Sequence, residues 1–400
     1  MSTVHLSTFR VLLGVYLLQH FLLLVPFAAE LFSGVGLFPE AKALPSFGVF
    51  PNPLFLFDAP AFAVLFLLLL CLLSVLLTFG WRRRICALCI WFGWAALLSR
   101  APFIANPSIP FIGLLLLGLA ALPGDLSTPA ARSSAALLWK GVWVILALSY
   151  TVSGLHKLGS PSWLDGSALS ELTRNPLARD YFVTTLFSQA PWWITAVCTW
   201  GALGLEILFA PLALFRLTRP WVWLAMVGLH LGILSMVSFA DLTLGMLLVH
   251  LFTFDEGWIA SRVKAAARAP IVFFDGSCVM CSRLARYMTA IDSTALFRLA
   301  PLQGETFRSI VPAETAVAIP DSIVVQTHTG ALLTRSDAIV YIGRALGGIL
   351  GLCGLALSFV PRFARDYGYD LVAKLRYRLF GRTKESCSLI PLKERTRFLP

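Results

Sequence analysis

Long apolar runs recur through the first two thirds of this chain, and they constrain its fold more than any motif does. A helix that crosses a bilayer needs about 20 mostly apolar residues, because lipid offers no partner for backbone N–H and C=O groups. Candidate segments lie at about 9–29, 60–79, 85–99, 109–122, 136–156, 191–215, 221–239 and 241–254. The run from Phe9 to Ala29 lacks a small-residue cleavage site followed by a soluble domain, so it reads as a span and not as a removable leader. Composition agrees: 58% of the residues are hydrophobic and 13% charged, against roughly half and a quarter in soluble domains. The sequence predicts a multi-pass α-helical membrane bundle of about eight spans over residues 1–260.

Charge supplies an orientation. Arg82-Arg83-Arg84 follows the second candidate span, Arg216 and Arg219 follow the sixth, and Arg262, Lys264 and Arg268 follow the eighth. With a cytoplasmic N-terminus, the positive-inside rule places all three clusters in the cytoplasm, and the C-terminal domain with them. A dithiol there rests reduced. Residues 255–400 carry 19 Lys+Arg against 12 Asp+Glu. Attraction to anionic headgroups of the lipid bilayer explains this excess more simply than nucleic acid, for which no binding module is present. Two long connections, about 30–58 and 157–190, face the opposite side and either carry function or cap the bundle.

From Pro270 the pattern changes to that of a small α/β domain, over 270–390. Ile271–Phe274 reads as a buried strand, and Cys278–Ile291 as a helix with Leu284, Tyr287, Met288 and Ile291 on one face. Leu296–Leu299 is a second strand. Ser322–Gln326 and Ala331–Thr334 are strands joined by a turn at Thr329-Gly330. Ser336–Leu346 is a helix with Ser336 as its N-cap. The order β-α-β-β-β-α is that of a thioredoxin-like domain.

The eight cysteines are too sparse for a secreted disulfide framework. Two of them, Cys278 and Cys281, stand in Asp275-Gly276-Ser277-Cys278-Val279-Met280-Cys281, between the first strand and the helix. A thiol at a helix N-terminus meets unpaired N–H groups and the positive end of the dipole, which favour the thiolate that attacks disulfides. Cys278 is the expected attacking thiol and Cys281 the expected resolving thiol. A zinc site would need a second ligand pair, which is missing nearby. Asp275 reads either as a buried base tuning the resolving thiol or as the cap of the Cys helix. Pro320, just before the Asp321-Ser322-Ile323-Val324-Val325 strand, is either a cis-proline presenting backbone to a substrate thiol or a trans turn residue. Cys387 is either a third redox thiol or a free surface cysteine.

These residues resemble the DCC family of thiol-disulfide oxidoreductases. The likeness runs through Phe274-Asp275-Gly276, Cys278 and Cys281, Arg335-Ser336-Asp337-Ala338, and Tyr377-Arg378-Leu379-Phe380-Gly381 with Cys387. It implies a thioredoxin-like fold and disulfide reductase or exchange activity on a thiol or disulfide substrate, with no cofactor required for the dithiol chemistry. Family and topology together imply a bacterial cytoplasmic (inner) membrane protein.

The stretch Tyr150–Gly166 resembles the HTTM domain, the membrane part of vitamin K-dependent carboxylases, in which a lysine at the position of Lys157 is the catalytic base. The large domain that handles the glutamate-containing substrate has no counterpart here, so carboxylase activity is not carried across. A quinone or other lipid-like ligand in the bundle is the corresponding expectation, with the dithiol domain as electron supply. Ionisable groups in apolar runs are costly in lipid and turn inward. His20, Glu206, His230 and His250 fit that description, and His156 with Lys157 ends a helix. They form a ligand pocket or proton path, or else structural hydrogen bonds between helices. A second Cys-x-x-Cys, Cys86 and Cys89, is either an electron relay or a chance helical spacing. A non-enzymatic sensor or transporter is the remaining class.

Overall fold

The computed structural model describes residues 2–123, 126, 128–259, 269–292, 295–319, 321–381 and 397–400. Pro320, Cys387 and the cluster Arg262, Lys264 and Arg268 lie outside the described residues. The chain divides into two compact units, Met1–Phe254 and Asp255–Pro400.

The first unit is helical. Its principal helices are α1 (Thr3–Leu24), α2 (Pro60–Phe79), α3 (Arg83–Arg100), α4 (Ile109–Ala121), α5 (Pro129–Lys157), α6 (Trp192–Ile207), α7 (Arg219–Met236) and α8 (Ala240–Thr253). A helix stands at each of the eight apolar stretches. Three are long and apolar enough to cross a membrane: Thr3–Phe32, which continues α1 through a short 3-10 turn, then α2 and α5. A bent pair in the second unit would make a fourth. α4 and α8, at 13 and 14 residues, fall short of the roughly 20 that a span needs. By length and composition, three helices of this unit are candidate spans, and the count of eight is not confirmed.

Local chemistry explains where these helices begin and approach. Ser2 and Thr128 cap α1 and α5 by accepting N–H bonds from His5 and Ala131. At Gly154 a Cβ would lie 2.8 Å from the Ile207 backbone nitrogen, so α5 and α6 touch there with no room for a side chain. That contact brings Lys157, less than one turn on, to Glu206.

The second unit is a small mixed sheet with helices. Strands β1 (Ile271–Phe274), β2 (Arg298–Pro301), β3 (Val324–Gln326) and β4 (Leu332–Thr334) lie in the order β2-β1-β3-β4. β1 pairs parallel to β2 and antiparallel to β3, and β3 pairs antiparallel to β4. α9 (Val279–Ile291) connects β1 to β2, and two short helices, Glu305–Ile310 and Ala313–Ala318, connect β2 to β3. α10 (Arg335–Leu346), α11 (Gly348–Ser358) and α12 (Arg362–Phe380) follow. One core lies between the sheet and α9 and α10, around Val272, Phe297, Leu299, Met288 and Ala338. Another covers the opposite face, around Phe273, Phe307 and Val324.

Four sequence expectations shift. β2 starts at Arg298 because the Asp292 carboxylate takes the N–H groups of Leu296 and Phe297, at 3.0 and 2.9 Å, before pairing begins. β3 starts late because Ile323 gives its N–H to the Tyr369 hydroxyl. The buried face of α9 is Ala285, Met288 and Thr289; Leu284 and Tyr287 are exposed. Thr334, not Ser336, is the N-cap of α10; Ser336 lies inside the helix and donates its hydroxyl to Asp366.

Candidate functional site

β1 delivers Asp275 to the end of the sheet, and a tight turn through Gly276 and Ser277 leads into α9. Cys278 is the N-cap of that helix: its Sγ accepts the Cys281 N–H at 3.4 Å. The sulfur thus occupies the place where a Ser or Asp oxygen ordinarily satisfies an orphan donor. Cys278 is fully enclosed, at 0% exposed, whereas Cys281 is half-buried and lines a cavity of about 440 Å³. The expected attacking thiol is therefore the less accessible of the two. Both are free thiols.

Asp275 caps the turn and not the helix. Its Oδ1 accepts from the Ser277 N–H at 2.9 Å, from the Ser277 hydroxyl at 2.7 Å and from Gln303 at 3.0 Å. Its Oδ2 accepts from the Tyr377 hydroxyl at 2.5 Å and faces Arg376 at 3.4 Å. Burial works to raise the Asp275 pKa, but the bonds from Tyr377, Ser277 and Gln303 outweigh it and hold the carboxyl below its ordinary value. Arg376, 3% exposed, also donates to Asp321 at 2.6 Å and to Tyr377 at 2.9 Å. Burial opposes its charge, yet Tyr377 and Asp321 keep the guanidinium firmly protonated. Burial, the hydrogen bond with Cys278 and the charge of that neighbour push the Cys281 thiol up to about 12, with Arg376 pulling the other way.

The three stretches singled out in sequence converge here. Arg335 pairs with Asp370, Ser336 bonds Asp366, and Asp337 pairs with Arg362 and Arg365. These contacts fasten α12 to α10, and α12 in turn carries Arg376 and Tyr377 to Asp275. The Asp275 partners Gln303 and Arg376, and Asp321 on the far side of Arg376, were not legible as site residues. A buried Asp before the cysteines was the one available signal that a cation and donors must come from elsewhere.

The apolar wall of the cavity beside Cys281 comes from Met280, Leu284, Ile323, Ile339, Leu357 and Val372. Its polar atoms cluster at Asp275, Arg365, Tyr369 and Arg376.

In the first unit, Lys157 forms an ion pair with Glu206, donates to Ser153 at 3.3 Å and sits 4.9 Å over the Trp163 ring. Lys157 and Glu206 line a cavity of about 510 Å³ whose walls include Leu169, Leu172, Phe187 and Leu229. The connection 157–190 supplies several of these through its short helices Ala168–Thr173 and Phe182–Ser188. His156 is exposed and takes no part. His230 belongs to a neighbouring network in which the Tyr150 hydroxyl meets His230 Nε2 at 2.6 Å and His250 Nε2 at 2.9 Å. His20 bonds Asp241 at 2.8 Å, and Asn106 holds the other carboxylate oxygen at 2.6 Å. Of the second cysteine pair, Cys86 is buried and donates to the Trp81 carbonyl, while Cys89 is exposed. They face different surroundings.

Residues 272–382 match the DCC1-like thiol-disulfide oxidoreductase family. The chain is similar to the "Uncharacterized protein YuxK" of Bacillus subtilis (strain 168), at 31% identity over 130 residues, covering 32% of this chain and 93% of that protein. It is also similar to the "DCC family protein At1g52590, chloroplastic" of Arabidopsis thaliana, at 29% identity over 122 residues, covering 30% of this chain and 70% of that protein. No solved structure matches. The family match covers none of residues 1–271, so the comparisons do not show the HTTM resemblance, which rests on Tyr150–Gly166 and on hydropathy over about 1–260.

Proposed function

Because the chain belongs, through residues 272–382, to the DCC1-like thiol-disulfide oxidoreductase family, we propose that it is a membrane-bound thiol-disulfide oxidoreductase using Cys278 and Cys281. The observation that carries this reading is Cys278 as the capping residue of α9, with its sulfur on the Cys281 N–H. In the forward step, Cys278 thiolate attacks one sulfur of a substrate disulfide, forming a mixed disulfide and releasing the first substrate thiol. Cys281 then gives up its proton and attacks the Cys278 sulfur. The second substrate thiol leaves, and a Cys278–Cys281 disulfide remains. Two electrons pass to the substrate, and a thiol donor returns them.

The raised Cys281 pKa suits the resolving role, since this thiol stays protonated until the mixed disulfide forms. Enclosure of Cys278 means that the 275–278 turn must yield before attack. The unit is read as thioredoxin-like, from a strand–Cys-x-x-Cys–helix followed by a hairpin and a helix. The proposed home is a bacterial cytoplasmic membrane with this unit in the cytoplasm; that side follows from the arginine clusters when the spans before it are even in number. The test is disulfide reduction by the full chain in detergent, with Cys278→Ser alongside. Activity lost in the variant is the expected result; equal activity removes the reading.

A second reading attaches to the bundle. A mostly apolar cavity of about 510 Å³ holding the Lys157–Glu206 pair has the size and character of a small-ligand site. A quinone is the ligand class proposed for it. Oxidation of the dithiol by a quinone would give the disulfide and the quinol, a balanced transfer of two electrons and two protons, with Lys157 as the base and Cys86 and Cys89 as a proposed relay. Lys157→Ala should then abolish quinone reduction and spare disulfide reduction. A purified protein that neither contains nor reduces a quinone ends this reading.

A further inference from the structure

The geometry points to α12 as a membrane-docking helix of the C-terminal unit, seated in the interface of an anionic leaflet. Its inward side is given to the sheet and the dithiol: Arg365, Tyr369, Ala373 and Arg376 line the cavity beside Cys281. Its outward side carries a row of large apolar side chains with two cations, Lys374 and Arg378, interspersed. Phe363, Tyr367, Leu371, Leu375 and Leu379 recur at every fourth position, and Phe359 stands at the corner before them. Phe359, Phe363, Tyr367 and Leu379 are 81%, 80%, 75% and 70% exposed. A soluble surface does not ordinarily leave a continuous row of large apolar side chains in water.

Charge selects the occupant. Lys374 and Arg378 are exposed among these apolar groups; Arg362, at the start of the helix, is paired with Asp337 and Asp366. The helix's two carboxylates are engaged elsewhere, Asp366 with Ser336 and Asp370 with Arg335. Hydrocarbon takes an apolar stripe of this kind, and phosphate headgroups take cations beside it. The same chain carries three helices long and apolar enough to cross a bilayer, so the leaflet is tethered close to this unit. α11 and α12 meet at 119°. Pro361, which has no N–H to continue a helix, begins α12 and turns the chain at that corner. Phe359 and Phe363 flank that corner, both exposed.

Val372 is half exposed and also lines the Cys281 cavity. A leaflet-seated α12 therefore sets the cavity mouth at headgroup level.

The test replaces Tyr367, and separately Phe363, with a benzophenone-bearing phenylalanine in the full chain, reconstituted in vesicles of phosphatidylglycerol and phosphatidylcholine. After irradiation, adducts are identified by mass spectrometry. Lipid adducts at both positions are expected, with protein adducts when the probe stands at the inward Tyr369. Yield should fall by roughly five-fold for each cation removed in Lys374→Gln and Arg378→Gln, and in pure phosphatidylcholine. The same adducts should form in Cys281→Ser, which separates docking from the redox reading. Adducts at 363 and 367 to peptides of this chain or a second copy, no adducts, or lipid adducts indifferent to headgroup charge would each overturn the proposal.

Discussion

The Tyr377 hydroxyl donates to Asp275 Oδ2 at 2.5 Å across 102 residues of sequence. Through it, the end of α12 grips the turn that presents the dithiol. Arg376, from the same helix, neutralises the carboxylate and reaches Asp321 at the other side. A buried carboxylate left without such partners would not stay ionised. With them, Asp275 holds the Ser277 N–H and hydroxyl and so shapes the turn that ends at Cys278.

Tyr377→Phe removes one donor to a buried, charged acceptor. Loss of such a bond costs about 1–3 kcal/mol, so the C-terminal unit should be measurably less stable. The acid limb carries the sign. The Asp275 pKa is lower in the folded unit than in the unfolded chain, so its contribution is present above the unfolded value and disappears as pH falls through the folded one. Without the Tyr377 bond the folded value rises, the gap narrows, and acid destabilisation should set in at higher pH. Hydrogen exchange of the Ile271–Phe274 amides in the full chain, from pH 6 downward, measures both effects. An unchanged acid limb would mean that Tyr377 does not hold the carboxylate.

Cys281 offers the opposite sign. Its folded pKa lies at about 12, above an unfolded thiol at about 8.5. The folded unit therefore favours the neutral thiol, and this contribution is complete below the unfolded value and fades as pH rises through the folded one. Alkylation by iodoacetamide, followed peptide by peptide, should accelerate about tenfold per pH unit from pH 8 to 10 without levelling. Asp275→Asn removes a charge that raises this pKa and should speed the reaction at pH 9. A plateau below pH 9 in the unaltered protein would contradict the assigned environment.

The Lys157–Glu206 pair calls for a double-variant cycle. Lys157→Met leaves the Glu206 carboxylate in a mostly apolar cavity without its cation. Breaking a fully buried pair costs about 3–5 kcal/mol; the Lys157 side chain is 26% exposed, so water screens part of this and a smaller loss is expected. Lys157→Met with Glu206→Leu should recover most of the melting temperature lost by the single change, because no unpaired charge remains. Additive losses would show that the two side chains do not depend on one another.

Legibility followed the range of the interactions. β1, α9 and the β3–β4 hairpin were readable because an apolar run, a helical period and the Gly330 turn are local signals; Gly330 adopts φ +88 in that turn. The start of β2 was misplaced by two residues because the Asp292 carboxylate, which removes two N–H groups from pairing, acts through space. The network around Asp275 was hidden for the same reason, since its partners come from residues 303, 321, 376 and 377. α11 escaped notice although Gly-Ile-Leu-Gly-Leu-Cys-Gly-Leu-Ala-Leu-Ser is plainly apolar. Its glycines make sense only against a neighbour: a Cβ on Gly354 would lie 3.0 Å from the Arg344 nitrogen of α10. The span count rests on hydropathy alone: each apolar stretch is a helix, but only three of them are long and apolar enough to be candidate spans, and α4 and α8 are short.

Access and ionisation point to different sulfurs, and trapping distinguishes them. Cys281 lines the cavity, so a substrate disulfide meets it first. Its pKa, however, is pushed up by burial and by Cys278, which holds this thiol neutral at pH 7. Cys278 caps α9 and its sulfur accepts the Cys281 N–H, so this less accessible thiol should still be the nucleophile, reached through opening of the 275–278 turn. In Cys281→Ser, the mixed disulfide with a substrate should therefore accumulate on Cys278, because nothing resolves it. In Cys278→Ser the contributions of Cys278 are gone but burial still pushes the Cys281 thiol up, so less adduct should form at neutral pH than on Cys278 in Cys281→Ser. Loosening the turn by Tyr377→Phe should speed the first reaction, since the opening that exposes Cys278 becomes easier. The reverse pattern, with the adduct on Cys281 in Cys278→Ser and none on Cys278, would exchange the two roles and make the cavity-facing thiol the attacking group.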